Sequence, residues 1–403
     1  MTQQQTEAEA RLSAEQAINA TFSPHAPINQ AALFRGRVDQ VRETVDTVQS
    51  DGLHAVIYGE RGVGKTSLAN IINDFLGGLV SVSKVICSQT DSFSSIMRRA
   101  LGSIQLTLTQ PKLGLRPTAE PVVYNLLSSL PDSEVFAPDD VATLLSQIPL
   151  SLVLVFDEFD RLLPQNSAPF ADLIKALSDR GAASTVVLVG VAEDVNHLLG
   201  THASVVRNLR QIHLPRMSDD ELAAILDEGL PSIGFSFAAD GPRRRILSVS
   251  QGFPHYTHLL AQYGARAALD RGRSIITDSD VVAGMRRAVE RGDQSNRELY
   301  YKATTGTRKA NLWEEVVSAC ATAKTDDRGY FSIRDVVDRM SEIRGTAVSQ
   351  QAMSYHLGKL TEQDRGPLLE RIGPERRYRY RFVNALMRPF IIMKAMNDGL
   401  IAP

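Results

Sequence analysis

The chain has 403 residues, a length that favours two or three domains over a single hydrophobic core. Hydrophobic residues make up 43% of it and charged residues 22%, as in an ordinary globular protein, and no apolar run approaches the roughly 20 residues that cross a bilayer, which excludes a helical membrane span. The formal net charge is −2, but residues 297–403 carry 18 Lys and Arg against 13 Asp and Glu. This asymmetry indicates that the C-terminal part meets an anionic partner.

The N-terminal sequence and the cysteines indicate the compartment. The polar, acidic start MTQQQTEAEARLSAEQ lacks the basic-then-apolar layout of a signal peptide. Cys87 and Cys320 lie 233 positions apart in apolar segments, and two thiols alone do not make a zinc site, so we expect two buried small side chains. We therefore predict a cytoplasmic protein.

In chain order, the first predicted element is an N-terminal arm. Residues 1–30 have few apolar side chains and end in SPHAPIN, which predicts a mobile arm or a strap. Apolar residues at helical spacing in VDQVRETVDTV then predict a helix, and HAVIY at residues 54–58 predicts a short buried strand.

Strands and helices alternate after this point. VSVSKVICS, SLVLVFDEFD and STVVLVGVAED are apolar runs separated by helical patterns, and this order indicates a parallel sheet covered on both faces. The fold class is therefore α/β, with a doubly wound P-loop core over residues 31–216. Five prolines in residues 107–140 predict an irregular insertion there, with at most one short helix near VVYNLLSS.

Beyond residue 216 the strand pattern stops. Four amphipathic helices over residues 217–292, most of them with an Asp, Ser or Thr cap, predict a small helical lid domain. Residues 293–310, rich in charge and small side chains, predict a linker. Residues 311–403 show three helices, a hairpin and a final apolar helix, which is the order of a winged-helix domain.

The stretch GERGVGKTS after the first strand matches the Walker A pattern and has the strand before and the helix after that this pattern requires. Glycines let the backbone aim its N–H groups at phosphate, and the helix adds a favourable dipole. We expect Lys65 to neutralise phosphate oxygens of ATP or ADP and Thr66 to bind Mg²⁺. The residues predicted to surround the phosphates are Gly59, Glu60, Arg61, Gly62, Val63, Gly64, Lys65, Thr66 and Ser67.

Two carboxylates follow the apolar run LVLVF. Asp157 ends a predicted buried strand beside Thr66, so it is a candidate to hold the metal through water, and Glu158 is a candidate to orient or deprotonate an attacking water. Kinases that transfer phosphate to a bound acceptor need no such second carboxylate. The pair therefore favours ATP hydrolysis.

The strand STVVLVGVAED and the residues after it supply further candidates. In oligomeric ATPases this strand ends in a side chain that senses the γ-phosphate, a position held here by Glu193 or Asp194. A following arginine reaches the nucleotide of a neighbouring subunit, and Arg207 or Arg210 would take that role. The alternative is an arginine on a solvated helix surface.

Six motifs in order make a resemblance specific. FRGR, GERGVGKTS, LVLVFDEFD, LVGVAED, SVVRNLRQIHLPRMS and SQGFPHY resemble, over residues 33–290, the AAA+ group that contains origin-recognition initiators and STAND signalling ATPases. The resemblance implies that Phe34, Gly36 and Arg37 contribute to the adenine and sugar pocket. GFPHY at residues 252–256 stands where initiators have a second-sensor arginine and is closer to the STAND pattern, which adds Pro254 to the nucleotide contacts. With an acid at the first sensor position, the two departures imply a slow nucleotide-gated switch.

The C-terminal hairpin and the helix before it form the candidate partner surface. The period of two in RRYRYRF places Tyr378, Tyr380 and Phe382 on one face and Arg377, Arg379 and Arg381 on the other. The arginines suit phosphate contacts, and the helix capped by Ser349 offers side chains to a DNA groove. These are Gln350, Gln351, Ser354, Tyr355 and His356. In the alternative, the domain docks on protein and the arginines pair with acids such as Asp335 and Asp338.

The sequence thus leaves two functional hypotheses open. In the first, nucleotide state positions the winged helix to bind DNA and to recruit or load a partner. In the second, a STAND-like signalling or defence ATPase docks its winged helix on a separate effector protein. Both predict an ATP-dependent homo-oligomer, whereas a metabolic kinase is disfavoured by the Asp157-Glu158 pair and the extra domains.

Overall fold

A computed structural model describes residues 3–28, 36–76, 80–111, 119–129, 135–148, 150–192, 205, 207–305, 312–375 and 377–401. The helices are α1 (Gln3–Thr21), α2 (Val38–Val48), α3 (Lys65–Phe75), α4 (Phe93–Gly102), α5 (Pro138–Ser146), α6 (Pro164–Asp179), α7 (Asp219–Ser232), α8 (Asp240–Ser250), α9 (Pro254–Asp270), α10 (Asp278–Glu290), α11 (Gln294–Thr304), α12 (Leu312–Thr322), α13 (Ile333–Arg344), α14 (Gln350–Leu360) and α15 (Met387–Asn397).

The strands are β1 (His54–Gly59), β2 (Ser81–Ile86), β3 (Gln105–Pro111), β4 (Ala119–Asn125), β5 (Leu152–Asp157), β6 (Thr185–Val191), β7 (Leu209–His213), β8 (Ser236–Phe237), β9 (Ile275–Ile276), β10 (Phe331–Ser332), β11 (Leu369–Ile372) and β12 (Arg379–Phe382). The chain divides into two compact units. The P-loop unit comprises residues 27–60 and 64–214, and the helical unit comprises residues 1–26, 61–63 and 215–403. Among the described residues, no helix is long and apolar enough to cross a membrane.

The P-loop unit is built on a five-stranded parallel sheet in the order β2-β5-β6-β1-β7. β5 is buried along its whole length, and β1 and β6 along almost all of theirs, because helices cover the faces of the sheet. The predicted parallel α/β core is confirmed. The sequence analysis did not identify β7, whose sequence LRQIH has only Leu209 and Ile212 buried and lacks the apolar run of the other strands, as suits an edge strand that pairs with β1.

The insertion predicted as irregular contains a pair of antiparallel strands. β3 and β4 pair antiparallel from Gln105↔Asn125 to Pro111↔Ala119, and the short helix predicted near VVYNLLSS is a 3-10 helix over Leu126–Ser129. The prolines misled the prediction because a two-stranded ribbon has two edges, where a residue without an N–H is tolerated. Residues 112–118 and 130–134 lie outside the described part of the chain.

The predicted lid is a set of four helices, α7 to α10, within the helical unit. Ser218 and Glu221 form a capping box that begins α7, and Thr277 and Asp280 form another that begins α10. α9 lies at the centre of the set and buries most of its residues. Two residues of β8 pair with two of β9 and close the base of the set.

In the N-terminal segment, for which the sequence predicted a mobile arm or a strap, residues 3–21 form helix α1, which packs on the helical unit. Ile18 and Phe22, at the end of α1, are fully buried in the helical unit. The amide of Gln262 on α9 donates to the carbonyl of Phe22 at 2.7 Å, and Arg11 pairs with Asp270 at 2.5 Å. The sequence pattern hid this docking because only two apolar residues carry it.

The segment predicted as a linker also contains a helix. α11 begins at a cap in which Asp293 accepts from the N–H of Ser295 at 2.8 Å. Tyr300 is 1% exposed and packs edge-on against Phe390 of α15. The charged residues of this segment are its solvated face, and residues 306–311 lie outside the described part of the chain.

The C-terminal part of the helical unit has the winged-helix order α12-β10-α13-α14-β11-β12, followed by α15. Its sheet runs β10-β12-β11, and Tyr380 of β12 lies opposite both Phe331 and Arg371. The predicted winged helix is confirmed, with β10 as an added strand. α15 packs back on this domain, where the guanidinium of Arg388 donates to the carbonyls of Ala321 and Ala323 at 2.7 Å each.

The two cysteines are free and buried, as the sequence predicts. Cys87 follows β2, and its N–H donates to the carbonyl of Asp157 at 2.8 Å. Cys320 lies in α12, fully inside the winged-helix core.

Docking of α1 on the helical unit depends on Phe22, whose ring lies 5.9 Å from the ring of His258. We predict that Phe22→Ala lowers the free energy of opening of α1 by about 3 kcal/mol, which corresponds to roughly 100-fold faster amide exchange there. Leu12→Ala is the matched control, because Leu12 lies on the same helix and is 57% exposed. Hydrogen–deuterium exchange of residues 9–21 measures both, and equal exchange rates in the two variants would contradict the docking.

Candidate nucleotide-binding site

The loop between β1 and α3 has the backbone that the Walker A pattern requires. Gly59, Gly62 and Gly64 have φ values of 152°, 87° and 101°, in the region that glycine adopts without strain. α3 begins at Lys65, directly after Gly64. The first N–H groups of this helix therefore face the loop, as phosphate binding needs.

The side chain of Lys65 folds into this loop. It is 8% exposed, and its ammonium donates to the carbonyl of Gly59 at 3.0 Å and to that of Glu60 at 2.7 Å. The first turn of α3 is also held by the segment that precedes α2, since the hydroxyl of Ser67 accepts from the N–H of Ile28 at 3.1 Å. The loop thus holds a cation ready beside its own backbone.

Asp157 and Thr66 meet at the carboxyl end of β5. The Asp157 side chain is 3% exposed, and its Oδ1 accepts from the Thr66 hydroxyl at 3.4 Å and from the N–H of Glu158 at 2.9 Å. Its Oδ2 lies 2.8 Å from the ammonium of Lys84. A hydroxyl beside a carboxylate is a hard oxygen donor set of the kind that Mg²⁺ prefers, so these residues fit the predicted metal.

The metal would not be held by protein side chains alone. Within the described ranges there is no group of three or more His, Cys, Asp or Glu residues that would bind an ion. This fits Mg²⁺ in P-loop proteins, which is bound by one or two protein ligands together with substrate phosphates and water.

Glu158 lies at the rim of this site. Its backbone is left-handed, with φ of 53°, which turns the chain sharply after β5. Its carboxylate is about half exposed and accepts from Arg161 at 2.5 Å. Such conformations cost energy in a residue other than glycine and cluster at functional sites.

The remaining core candidates are only partly placed. Phe34, Glu193 and Asp194 lie outside the described residues. Gly36 and Arg37 both have left-handed backbones immediately before α2, and Arg37 is 3% exposed. Their contact with a nucleotide remains a prediction.

The two candidate arginine fingers and Pro254 lie on separate elements. Arg207 and Arg210 are both exposed, and Arg210 sits in the edge strand β7 opposite Ala55. Pro254 is the first residue of α9, a position that suits proline because the first helical N–H has no partner in the helix. Their predicted roles stay predictions.

Sequence reasoning missed two residues at the carboxyl end of β5. Lys84 reaches Asp157 from β2, and its ammonium also donates to the side-chain carbonyl of Asn70 on α3. The only signal was a lysine in the apolar run VSVSKVICS.

The helix α14 presents the predicted groove-facing side chains. Met353, Leu357 and Leu360 are buried. On the opposite face four polar side chains are exposed, namely Gln350, Gln351, Ser354 and Tyr355. His356 is only half-buried and contacts the ring of Trp313, which makes it part of the domain packing.

Two of the three candidate arginines of the hairpin are engaged within the domain. Arg379 pairs with Asp326 at 3.1 Å and donates to the carbonyl of Tyr330, and Arg381 pairs with Glu370. The acids that the alternative hypothesis named are not these partners, because Asp335 caps α13 at its N-terminus and no described ion pair involves Asp338. Arg377 is exposed and makes no ion pair with another described residue.

The burial pattern of this hairpin follows the predicted period. Tyr380 is 2% exposed and Phe382 is 5% exposed, so the aromatic face is core. Tyr378 is half-buried under the guanidinium of Arg371 at 4.7 Å.

Comparison with known proteins identifies the P-loop part of the chain. Residues 48–199 match the family model of the AAA domain, so this segment is an AAA domain of the P-loop class. A Walker-type ATPase of Pyrococcus abyssi has a similar fold, with 13% identity over 92% of this chain and 99% of the other and a TM-score of 0.52.

Two further solved structures are similar at lower TM-scores. CDC6P from Pyrobaculum aerophilum has 16% identity over 95% of this chain and 99% of the other, with a TM-score of 0.48. The Aeropyrum pernix ORC1 protein in complex with DNA has 15% identity over 95% and 97%, with a TM-score of 0.47. No curated protein sequence matches the chain.

Two glycines of the loop differ in the space that their surroundings leave for a side chain. A methyl group on Gly59 would strike the backbone oxygen of Leu214, whereas one on Gly64 meets open space. We predict that Gly59→Ala destabilises the P-loop unit by about 3 kcal/mol and Gly64→Ala by about 1 kcal/mol, the cost of the backbone alone. Urea denaturation without nucleotide measures both, and the reverse order would show that the loop approaches Leu214 less closely.

Proposed function

We propose that the chain is an ATP-binding, Mg²⁺-dependent AAA+ ATPase that acts as a slow switch and whose winged helix binds DNA. The observation that carries the ATPase part is the meeting of Thr66 and Asp157 at 3.4 Å, with Glu158 next in the chain. Together with the Walker A loop, these residues supply the phosphate, metal and water positions of a hydrolytic P-loop site.

Each of these side chains has a defined task in the proposal. Lys65 exchanges the carbonyls of Gly59 and Glu60 for phosphate oxygens, because a phosphate carries the larger negative charge. Thr66 and Asp157 would hold Mg²⁺, which neutralises charge on the phosphates. Glu158 accepts a proton from the attacking water or orients it, once its carboxylate leaves the exposed Arg161.

The exposed face of α14 supports DNA as the partner. Amide side chains such as those of Gln350 and Gln351 read base edges in a major groove, and a neutral helix face meets no repulsion from phosphate. Arg377 adds a charge that no described carboxylate neutralises. The engaged Arg379 and Arg381 are better explained as supports of the hairpin than as phosphate contacts.

Hydrolysis tests the catalytic part of the proposal. We expect Glu158→Gln to bind ATP but to hydrolyse it at least about 100-fold more slowly, because the group that accepts the proton is lost. Asp172→Asn is the control, as it removes an exposed carboxylate from α6 of the same unit. Phosphate release measures both, and an unchanged rate in Glu158→Gln would refute the assignment of Glu158.

The same variant serves to test assembly. With ATP trapped, an ATP-dependent homo-oligomer elutes earlier on size exclusion, and the exposed Arg207 or Arg210 would then reach the nucleotide of a neighbour. Arg207→Ala and Arg210→Ala in mixtures with Glu158→Gln identify which arginine acts between subunits.

Duplex DNA binding tests the role of the winged helix. We expect Arg377→Ala to weaken binding about equally for all sequences and to reduce the slope of log K against log salt by about 1. Gln350→Ala with Gln351→Ala should instead relax sequence preference. Lys302→Ala, which removes an exposed charge from α11, is the control. Binding that none of these variants changes would favour an effector protein as the partner.

A further inference from the structure

An unexpected cation lies beside the aspartate at the end of β5. Lys84 is in the middle of β2, and its side chain is 22% exposed. β2 pairs with β5 so that Ile86 is opposite Asp157, and the long side chain of Lys84 runs along the strand to reach it. Its ammonium lies 2.8 Å from Oδ2 of Asp157.

The ammonium of Lys84 has a second oxygen partner. The side-chain carbonyl of Asn70 accepts from it, and the amide nitrogen of Asn70 donates to the carbonyl of Ile28 at 3.2 Å, which fixes the orientation of the amide. Lys84 is therefore held between a charged acceptor on β5 and a neutral acceptor on α3. The ammonium can leave Asp157 and still keep its hydrogen bond to Asn70.

The two oxygens of the Asp157 carboxylate have different partners. Oδ1 accepts from Thr66 and from the N–H of Glu158, whereas Oδ2 lies at ion-pair distance from Lys84 and accepts no hydrogen bond from a described residue. A carboxylate that is 3% exposed needs a compensating charge, and Lys84 supplies one from the protein itself. The charge that Asp157 would give to a divalent cation is thus already neutralised.

We propose that Lys84 competes with Mg²⁺ for Asp157 and so raises the metal concentration that the nucleotide complex requires. This inference rests on the proposed function, since it concerns the same site. The ammonium of Lys84 pairs with Asp157, and it would have to move towards Asn70 for Asp157 to hold a divalent cation through water, because two cations near one carboxylate repel each other. The lysine thereby keeps the site closed to the metal alone.

The test compares Lys84→Met with the wild type. Methionine keeps much of the side-chain length and removes the charge, so we expect Mn²⁺ to bind about tenfold more tightly in the presence of ADP, as one competing charge is lost. The loss of the free Mn²⁺ signal in electron paramagnetic resonance measures this affinity without turnover. Lys175→Met is the matched control, because Lys175 is an exposed lysine on α6 of the same unit and its loss should leave the affinity unchanged.

A second variant and a stability measurement make each outcome decisive. Lys84→Arg keeps the charge and should bind Mn²⁺ within about twofold of the wild type, whereas Lys84→Gln should resemble Lys84→Met. Unchanged or weaker Mn²⁺ binding in both neutral variants would overturn the proposal. Loss of the fold in both, with Lys84→Arg folded, would also overturn it, since the lysine would then be purely structural.

A separate measurement distinguishes a failure of the proposed function from a failure of the role of Lys84. Binding of a fluorescent ADP analogue to the wild type with saturating Mg²⁺ tests the nucleotide site itself. Absence of binding there would refute the proposed function, whereas normal binding with an identical Mg²⁺ dependence in Lys84→Met would refute only the role of Lys84.

Discussion

The candidate site depends on the parallel pairing of β5, β6 and β1. Because these strands run in the same direction, the loop after Gly59 and the carboxylate of Asp157 leave the sheet at one edge. β6 lies between the two strands, so α3 must carry Thr66 across to Asp157. A shift of one residue in either pairing would turn Asp157 to the other face of the sheet and separate the two side chains.

Much of this arrangement could be predicted because its determinants are local. The Walker A glycines, the apolar strands and the helix caps each act within a few residues, and together they define the parallel core and the order of the winged helix. The predictions that were wrong depend instead on contacts between residues that are far apart in the sequence. α1 is held by Phe22 against residues some 240 positions away, and the partners of Arg379 and Arg381 lie on other strands and loops. Such contacts leave no periodic signal in the sequence.

In the candidate site, too, the residues that belong to local motifs could be predicted and the others could not. Thr66 and Asp157 could be paired from their motifs, whereas Lys84 and Asn70 have no motif and belong to the site only through the β2–β5 register.

The charge of the winged helix was also harder to predict than its fold. Its excess of arginine suggested a phosphate-binding row, but two of the three candidate arginines, Arg379 and Arg381, pair with acids within the domain, so the count of charges overstated the field that a partner would meet.

The buried cysteines have a practical consequence for tests of the proposed switch. Burial raises the pKa of Cys87 to about 12, and the nearby carboxylate of Asp91 adds to this effect, while burial alone raises that of Cys320. Both thiols are therefore protonated and inert towards alkylating dyes at neutral pH. A cysteine introduced at the surface of either unit would therefore react with a fluorophore while Cys87 and Cys320 stay unlabelled. Any change of conformation on nucleotide binding can then be followed in solution without removing the natural cysteines.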